Sequence, residues 1–181
     1  MSPTGPAVVL MGLRGSGKTT IGRLLAADLG VPFVDLDDVT PSILGETTAA
    51  DAINNRGLEA FRNAETEALR RELSTTAGVL ALGGGTPTAP GARELLESCG
   101  VPCLYLHAGT DVLRARLSAT DLGERPSLTG GAVLDEIGEI YLQRDTLYRE
   151  LASHLVEVED QEPEAVADAI AALLDSAPGV G

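Results

Sequence analysis

One run of residues, Gly12-Leu13-Arg14-Gly15-Ser16-Gly17-Lys18-Thr19, has the types and spacing to hold a polyphosphate. It satisfies G-x-x-x-x-G-K-[ST], in which glycines let successive backbone N–H groups turn inward around phosphate oxygens. The Lys18 ammonium would bridge β- and γ-phosphates, and the Thr19 hydroxyl would bind Mg2+. Gly12, Arg14, Gly15, Ser16, Gly17, Lys18, Thr19 and Thr20 are therefore candidate nucleotide-binding residues. Lys18 is the only lysine among 13 basic residues. A lysine is a compact, rotatable point charge where arginine is a rigid planar fork. A chain that uses arginine everywhere else keeps the point charge here.

Three further groupings could meet a second substrate. Asp35, Asp37 and Asp38 follow the apolar pair Phe33-Val34. If the segment is extended, Asp35 and Asp37 face the same side. One carboxylate could hold Mg2+ and the other accept a proton from an attacking hydroxyl. Asp38 reads as the helix N-cap of the group. Arg62 and Glu65 are i,i+3 neighbours in a charged helix, and on spacing alone they read as a surface ion pair. Gly83-Gly84-Gly85 ends an apolar run, where missing side chains let a ligand approach the backbone.

These residues need a scaffold, and the pattern around them supplies one. Apolar runs at residues 7–11, 33–36, 78–82, 101–107 and 154–158 read as strands. Helical spacing covers 19–29, 58–73, 110–117, 133–151 and 163–174, with short helices within 40–56. Pro90 is expected to open a helix reaching residue 98. Strand and helix alternate, which predicts an α/β fold: a five-stranded parallel sheet with helices on both faces. A single domain is expected over residues 1–181, with a polar, glycine-rich loop at 119–131 and a frayed tail at 176–181.

Composition narrows the function further. The net charge is −14 and aromatics are 3% of the chain, which argues against nucleic-acid and anionic-membrane partners. Any anionic ligand must be drawn in by a local arginine cluster. Cys99 and Cys103 have no third ligand for a zinc site and read as thiols flanking a strand. No basic run precedes the short apolar stretch at 7–12, so the expectation is a cytoplasmic protein.

Taken in order, the motifs resemble the shikimate kinase family. They are the phosphate loop with Thr20-Ile21-Gly22, Asp35-x-Asp37, Phe61-Arg62-x-x-Glu65, Leu82-Gly83-Gly84-Gly85, Arg125-Pro126-Ser127-Leu128 and Arg144-x-x-Leu147-Tyr148. The resemblance implies a three-layer P-loop NTPase fold with an acceptor flap at about 38–66 and a lid at about 119–131. It implies ATP and a small acid as substrates, with Mg2+ as cofactor. Lys18, Asp37 and Arg125 would be catalytic. Asp37, Phe61, Arg62, Glu65, Gly83, Gly84, Gly85 and Arg144 would bind the acceptor, with Arg62 and Arg144 gripping its carboxylate. Thr19 and Asp35 would hold the metal, and Arg116 and Pro163 the adenine.

Thr40-Pro41, Ile53 and Leu58 depart from the family's pattern, all in the acceptor flap. Those departures and Asp37-Asp38 keep a gluconate-type sugar-acid kinase as an alternative, and a regulatory nucleotide-binding module is a third reading. A chain with one lysine in its phosphate loop has none left for the Asn-Lys-x-Asp signature of GTPases. A monomer is expected.

Overall fold

A computed structural model describes residues 5–119 and 133–176, with side chains from residue 136 onward in the second segment. Strand β1 (Val8–Met11) is apolar throughout and fully buried. It lies at the centre of a five-stranded sheet of order β2-β3-β1-β4-β5. The other strands are β2 (Phe33–Asp35), β3 (Val79–Ala81), β4 (Cys103–His107) and β5 (His154–Glu157). All pairings are parallel; Val9 lies opposite both Leu80 of β3 and Cys103 of β4.

The period-two geometry of a strand explains why β1 carries no polar residue. Val8 and Leu10 enter one hydrophobic cluster, Val9 and Met11 the other. The first cluster lies beneath α1 (Lys18–Leu29), α6 (Thr110–Ser118), α7 (Val133–Leu151) and α8 (Pro163–Ser176). The second lies beneath α2 (Leu36–Ile43), α4 (Leu58–Thr75) and α5 (Ala92–Ser98). A strand buried on both faces must be apolar at every position. Burying a side chain such as Leu10 contributes roughly 1.5–3 kcal/mol, so a charge anywhere in β1 would be expensive. The expected sheet, with helices on both faces, is present.

Parallel pairing brings all five carboxyl ends to one edge, where ligands bind in open α/β sheets. The β1–α1 turn, the β2–α2 junction and the β3 glycines meet at that edge. Helix α3 (Ala49–Arg56), started by the Thr48 side chain accepting from Asp51 N, packs beside α2 and α4 above it.

Several boundaries differ from the sequence expectation. Strand β2 stops at Asp35 and α2 begins at once, so Asp35 and Asp37 do not share an extended segment. Asp35, and not Asp38, is the N-cap of α2, accepting from Asp37 N at 3.1 Å. Pro90 does not open α5: a 3-10 turn at Thr86–Thr88 precedes it, and Gly91, with φ of 80°, caps a helix beginning at Ala92. Helix α8 continues through Ser176, past the expected end at residue 174. Of the expected lid, only Ala119 is among the described residues. Arg125 lies outside them, as do residues 177–181 of the tail.

Candidate active site

Gly15 and Gly17 take φ of 86° and 91°, conformations that side chains resist, and these bend the loop between β1 and α1. Lys18 is the first residue of α1. Its Nζ donates to Gly12 O at 2.9 Å and Leu13 O at 3.2 Å, so the ammonium reaches back over the loop. Ser16 is 1% exposed, and its Oγ has no hydrogen-bond partner among the described residues. A buried, unpaired hydroxyl costs about 1–3 kcal/mol. It fits a loop whose polar groups are completed by an oxyanion.

The metal assignment can be tested on the donor set. Thr19 Oγ1 donates to Asp35 Oδ2 at 2.7 Å, pairing a hydroxyl and a carboxylate beside the phosphate loop. Mg2+ takes hard oxygen donors, commonly one or two from protein with phosphate and water supplying the rest. Two adjacent oxygen ligands fit that demand. No group of three acidic, histidine or cysteine ligands occurs among the described residues, and none is needed.

The acceptor side forms an open cleft beside the phosphate loop. Arg14, Lys18, Asp37, Phe61, Arg62, Glu65, Gly84, Gly85 and Arg144 line it. The Arg62–Glu65 pair is not the surface pair that spacing suggested. Its side chains are 17% and 3% exposed, and Glu65 also accepts from Thr86 Oγ1 at 3.0 Å. Burial pushes the Glu65 carboxyl above its ordinary range, against the opposing pull of Arg62. Glu65 thereby fixes one face of the Arg62 guanidinium.

Each glycine of the triplet touches a different part of the site. A Cβ on Gly83 would lie 2.5 Å from Asp37 Oδ1 and 3.1 Å from Glu65 Oε1. One on Gly85 would run into the Arg62 guanidinium. One on Gly84 would press on the phosphate loop, 3.4 Å from Arg14 N. Gly84 and Gly85 thus line the cleft beside the phosphate loop, whereas Gly83, also expected there, lies behind it against Asp37, Glu65 and Thr86. The Gly84 carbonyl accepts from Arg144 Nη1 at 2.7 Å and from the Tyr148 hydroxyl. Burial pushes Tyr148 up to about 12, so it remains a donor at neutral pH. Asp145, between them on α7, accepts from Tyr105 of β4 at 3.0 Å and from Arg149 at 2.8 Å. These bonds fix the helix that carries Arg144.

A second cleft flanks the loop on its other side. Gly15, Ser16, Gly17 and Thr20 line it with Arg116 and Pro163, the two residues expected to hold adenine. Arg116 Nη2 donates to Val158 O at 2.6 Å, which ties α6 to the turn after β5. Asp160 in that turn has φ of 53°. Gln161 also lines this cleft. Sequence reasoning missed Gln161, Thr86, Ala49 and Ile137. Only the glycine triplet before Thr86 carried any signal for one of them.

The departures in the flap are structurally mild. Thr40 is buried and bonds Leu36 O at 2.7 Å, while Leu58 is 40% exposed. Ile53 alone of the three positions lines the cleft, together with Arg62 and Arg144.

Sheet topology, glycine loop and the two flanking clefts define a P-loop phosphotransferase. Comparisons with known proteins carry the assignment further. The family model for shikimate kinase matches residues 14–175, and the chain belongs to the shikimate kinase family. It is 40% identical over 163 residues to shikimate kinase 2 of Syntrophotalea carbinolica, covering 88% of this chain and 91% of that protein. It is 41% identical over 150 residues to shikimate kinase of Nitratidesulfovibrio vulgaris, covering 82% and 85%. Among solved structures, shikimate kinase from Acinetobacter baumannii in complex with shikimate matches with a TM-score of 0.85 and 32% identity. That match covers 96% of this chain and 94% of the other.

Proposed function

We propose that the chain transfers the γ-phosphoryl group of ATP to the 3-hydroxyl of shikimate, a step of aromatic amino-acid biosynthesis. The observation that carries this reading is the placement of the glycine triplet. Gly83 lies against Asp37, Gly84 against the phosphate loop and Gly85 against Arg62. A nucleotide in the loop and a small acid on Arg62 would meet over Gly84 and Gly85.

Phosphoryl transfer is chiefly positioning and charge neutralisation. Backbone N–H groups of residues 12–19 cradle the phosphates, and Lys18 moves from its carbonyl partners to the β- and γ-phosphate oxygens. Thr19 and Asp35 would hold Mg2+, which when bound would neutralise charge on the phosphates. Arg62, steadied by Glu65, and Arg144 grip the substrate carboxylate, with planar forks matched to a planar anion. Asp37 accepts a hydrogen bond from the attacking hydroxyl and takes its proton as the new P–O bond forms. Arg125, outside the described residues, keeps the role its motif implies, meeting the transferring group. Arg116 and Pro163 flank the adenine.

The flap at about 38–66 is the acceptor-binding part of one kinase domain. The working unit in this reading is a monomer. Among the described residues no helix is long and apolar enough to cross a membrane. We read the enzyme as cytoplasmic.

A panel of hydroxy acids in a coupled ADP-release assay tests the acceptor. Shikimate should be turned over at least about tenfold more efficiently than gluconate, a difference of about 1.4 kcal/mol. No turnover with shikimate would sink the proposal. ATP binding without any acceptor-dependent ADP release would return the regulatory reading.

A further inference from the structure

The two cysteines lie away from both clefts. Cys99 caps the C-terminus of α5 and Cys103 opens β4, and both are free thiols. Gly100, with φ of 68°, turns the chain between them. Both sulfurs approach one backbone oxygen: Val101 O lies 3.8 Å from Cys99 Sγ and 3.5 Å from Cys103 Sγ. Cys99 Sγ also donates to Leu96 O at 3.1 Å. Cys99 is partly exposed, whereas Cys103 is 3% exposed. Packing alone would account for two buried small side chains. It does not account for a solvent-reachable thiol turned to the same carbonyl as a buried one.

We propose that Cys99 and Cys103 form a redox modification site, at which peroxide oxidises Cys99 and Cys103 closes an intramolecular disulfide. The Cys99 thiolate attacks hydrogen peroxide; an S–O bond forms, the O–O bond breaks, and the hydroxide released leaves as water with the thiol proton. The Cys103 sulfur then attacks the Cys99 sulfenic acid. The S–S bond forms, the S–O bond breaks, and a second water leaves with the Cys103 proton. Two thiols and one peroxide give one disulfide and two waters, with two electrons passing from sulfur to oxygen. The order follows from the environments. Cys99 is the partly exposed thiol that peroxide can reach, and the neighbouring Cys103 thiol lowers it below its ordinary value. The neighbouring Cys99 thiol, then burial, hold Cys103 well above its ordinary value.

The pair sits at the amino end of β4, whereas both clefts lie at the carboxyl edge. Pro102 O, between the cysteines, accepts from Val9 N of β1 at 2.9 Å. Cys103 O accepts from Ser153 N at 2.8 Å and Ser153 Oγ at 3.0 Å. A disulfide here would brace the entry points of three strands without touching the catalytic groups.

The experiment treats the full native chain with hydrogen peroxide, quenches it in acid, unfolds and alkylates it, and measures intact mass without reduction. The expected product is lighter by two hydrogen atoms, carries no alkyl group, and reverts with dithiothreitol. Its thermal midpoint should rise by about 3–5 °C, as a short closed loop stabilises a chain of this length. Turnover should be unchanged. Cys103→Ser should stop at a sulfenic acid on Cys99, trapped by dimedone, and Cys99→Ser should leave Cys103 unreacted. Full alkylation of both thiols after peroxide, a bridge found only between chains, or direct passage of wild-type Cys99 to sulfinic acid would each overturn the proposal.

Discussion

The Thr19 hydroxyl donates to Asp35 Oδ2 at 2.7 Å, joining the first turn of α1 to the tip of β2. The other carboxylate oxygen of Asp35 caps α2 through Asp37 N. One buried carboxylate therefore connects the proposed metal site to the backbone of the proposed base.

Asp35→Ala should raise the Mg2+ concentration for half-maximal rate at least about tenfold, the scale on which losing a group that supports a metal site weakens it. The shikimate KM should change little. Loss of the cap should also lower stability by about 0.5–2 kcal/mol. A magnesium titration beside thermal unfolding separates the two effects.

Lys18→Arg conserves charge and should still lower kcat by about 10²–10³, as removal of a preorganised donor does. The Lys18 ammonium is held by the carbonyls of Gly12 and Leu13 at 2.9 and 3.2 Å, space that a planar guanidinium does not match. Near-normal kcat would mean that the loop needs only a positive charge there.

Gly85→Ala should displace the Arg62 guanidinium, which a Cβ would overlap. It should mimic Arg62→Ala, raising the acceptor KM about 10–100-fold through the loss of charged hydrogen bonds. The KM for ATP should hold in both variants. Gly84→Ala meets its nearest neighbour only at 3.4 Å and should be milder. Equal rises in both KM values would remove the carboxylate role from Arg62.

Glu65 carries a pH signature. Burial raises its folded-state pKa above the ordinary 4.5. A raised carboxyl contributes stability that is fully present below 4.5 and is lost as pH rises through the folded value. The stability of the native chain relative to Glu65→Gln should therefore fall as pH increases from 4.5 upward. Urea unfolding of both proteins across that range tests it, and a difference that grows with pH would reverse the assignment.

Much of this was legible in the residues because it rests on local pattern. The phosphate loop has fixed spacing, and β1 and β4 are apolar runs that only a buried strand tolerates. Arg62 and Glu65 were legible as an i,i+3 pair, but their burial was not. It depends on Thr86 and Gly83, which the fold brings from some twenty residues downstream. The β2–α2 junction was misread because no turn residue separates the two elements. Leu36 continues the apolar run of the strand while already serving as the first residue of a helix. Tyr148 was visible only as a motif letter; that it donates to Gly84 O, more than sixty positions away, is a property of the parallel topology.

That carbonyl has a thermodynamic consequence. Gly84 faces the phosphate loop, where an added Cβ would come 3.4 Å from Arg14 N, and its carbonyl is held by Arg144 and Tyr148. Any shift of residue 84 produced by one substrate is felt by the pocket of the other. Linkage is reciprocal, so the factor by which ATP changes the dissociation constant of the acid must equal the factor by which the acid changes that of ATP. A single peptide group can thus make the two affinities interdependent before any bond is made or broken.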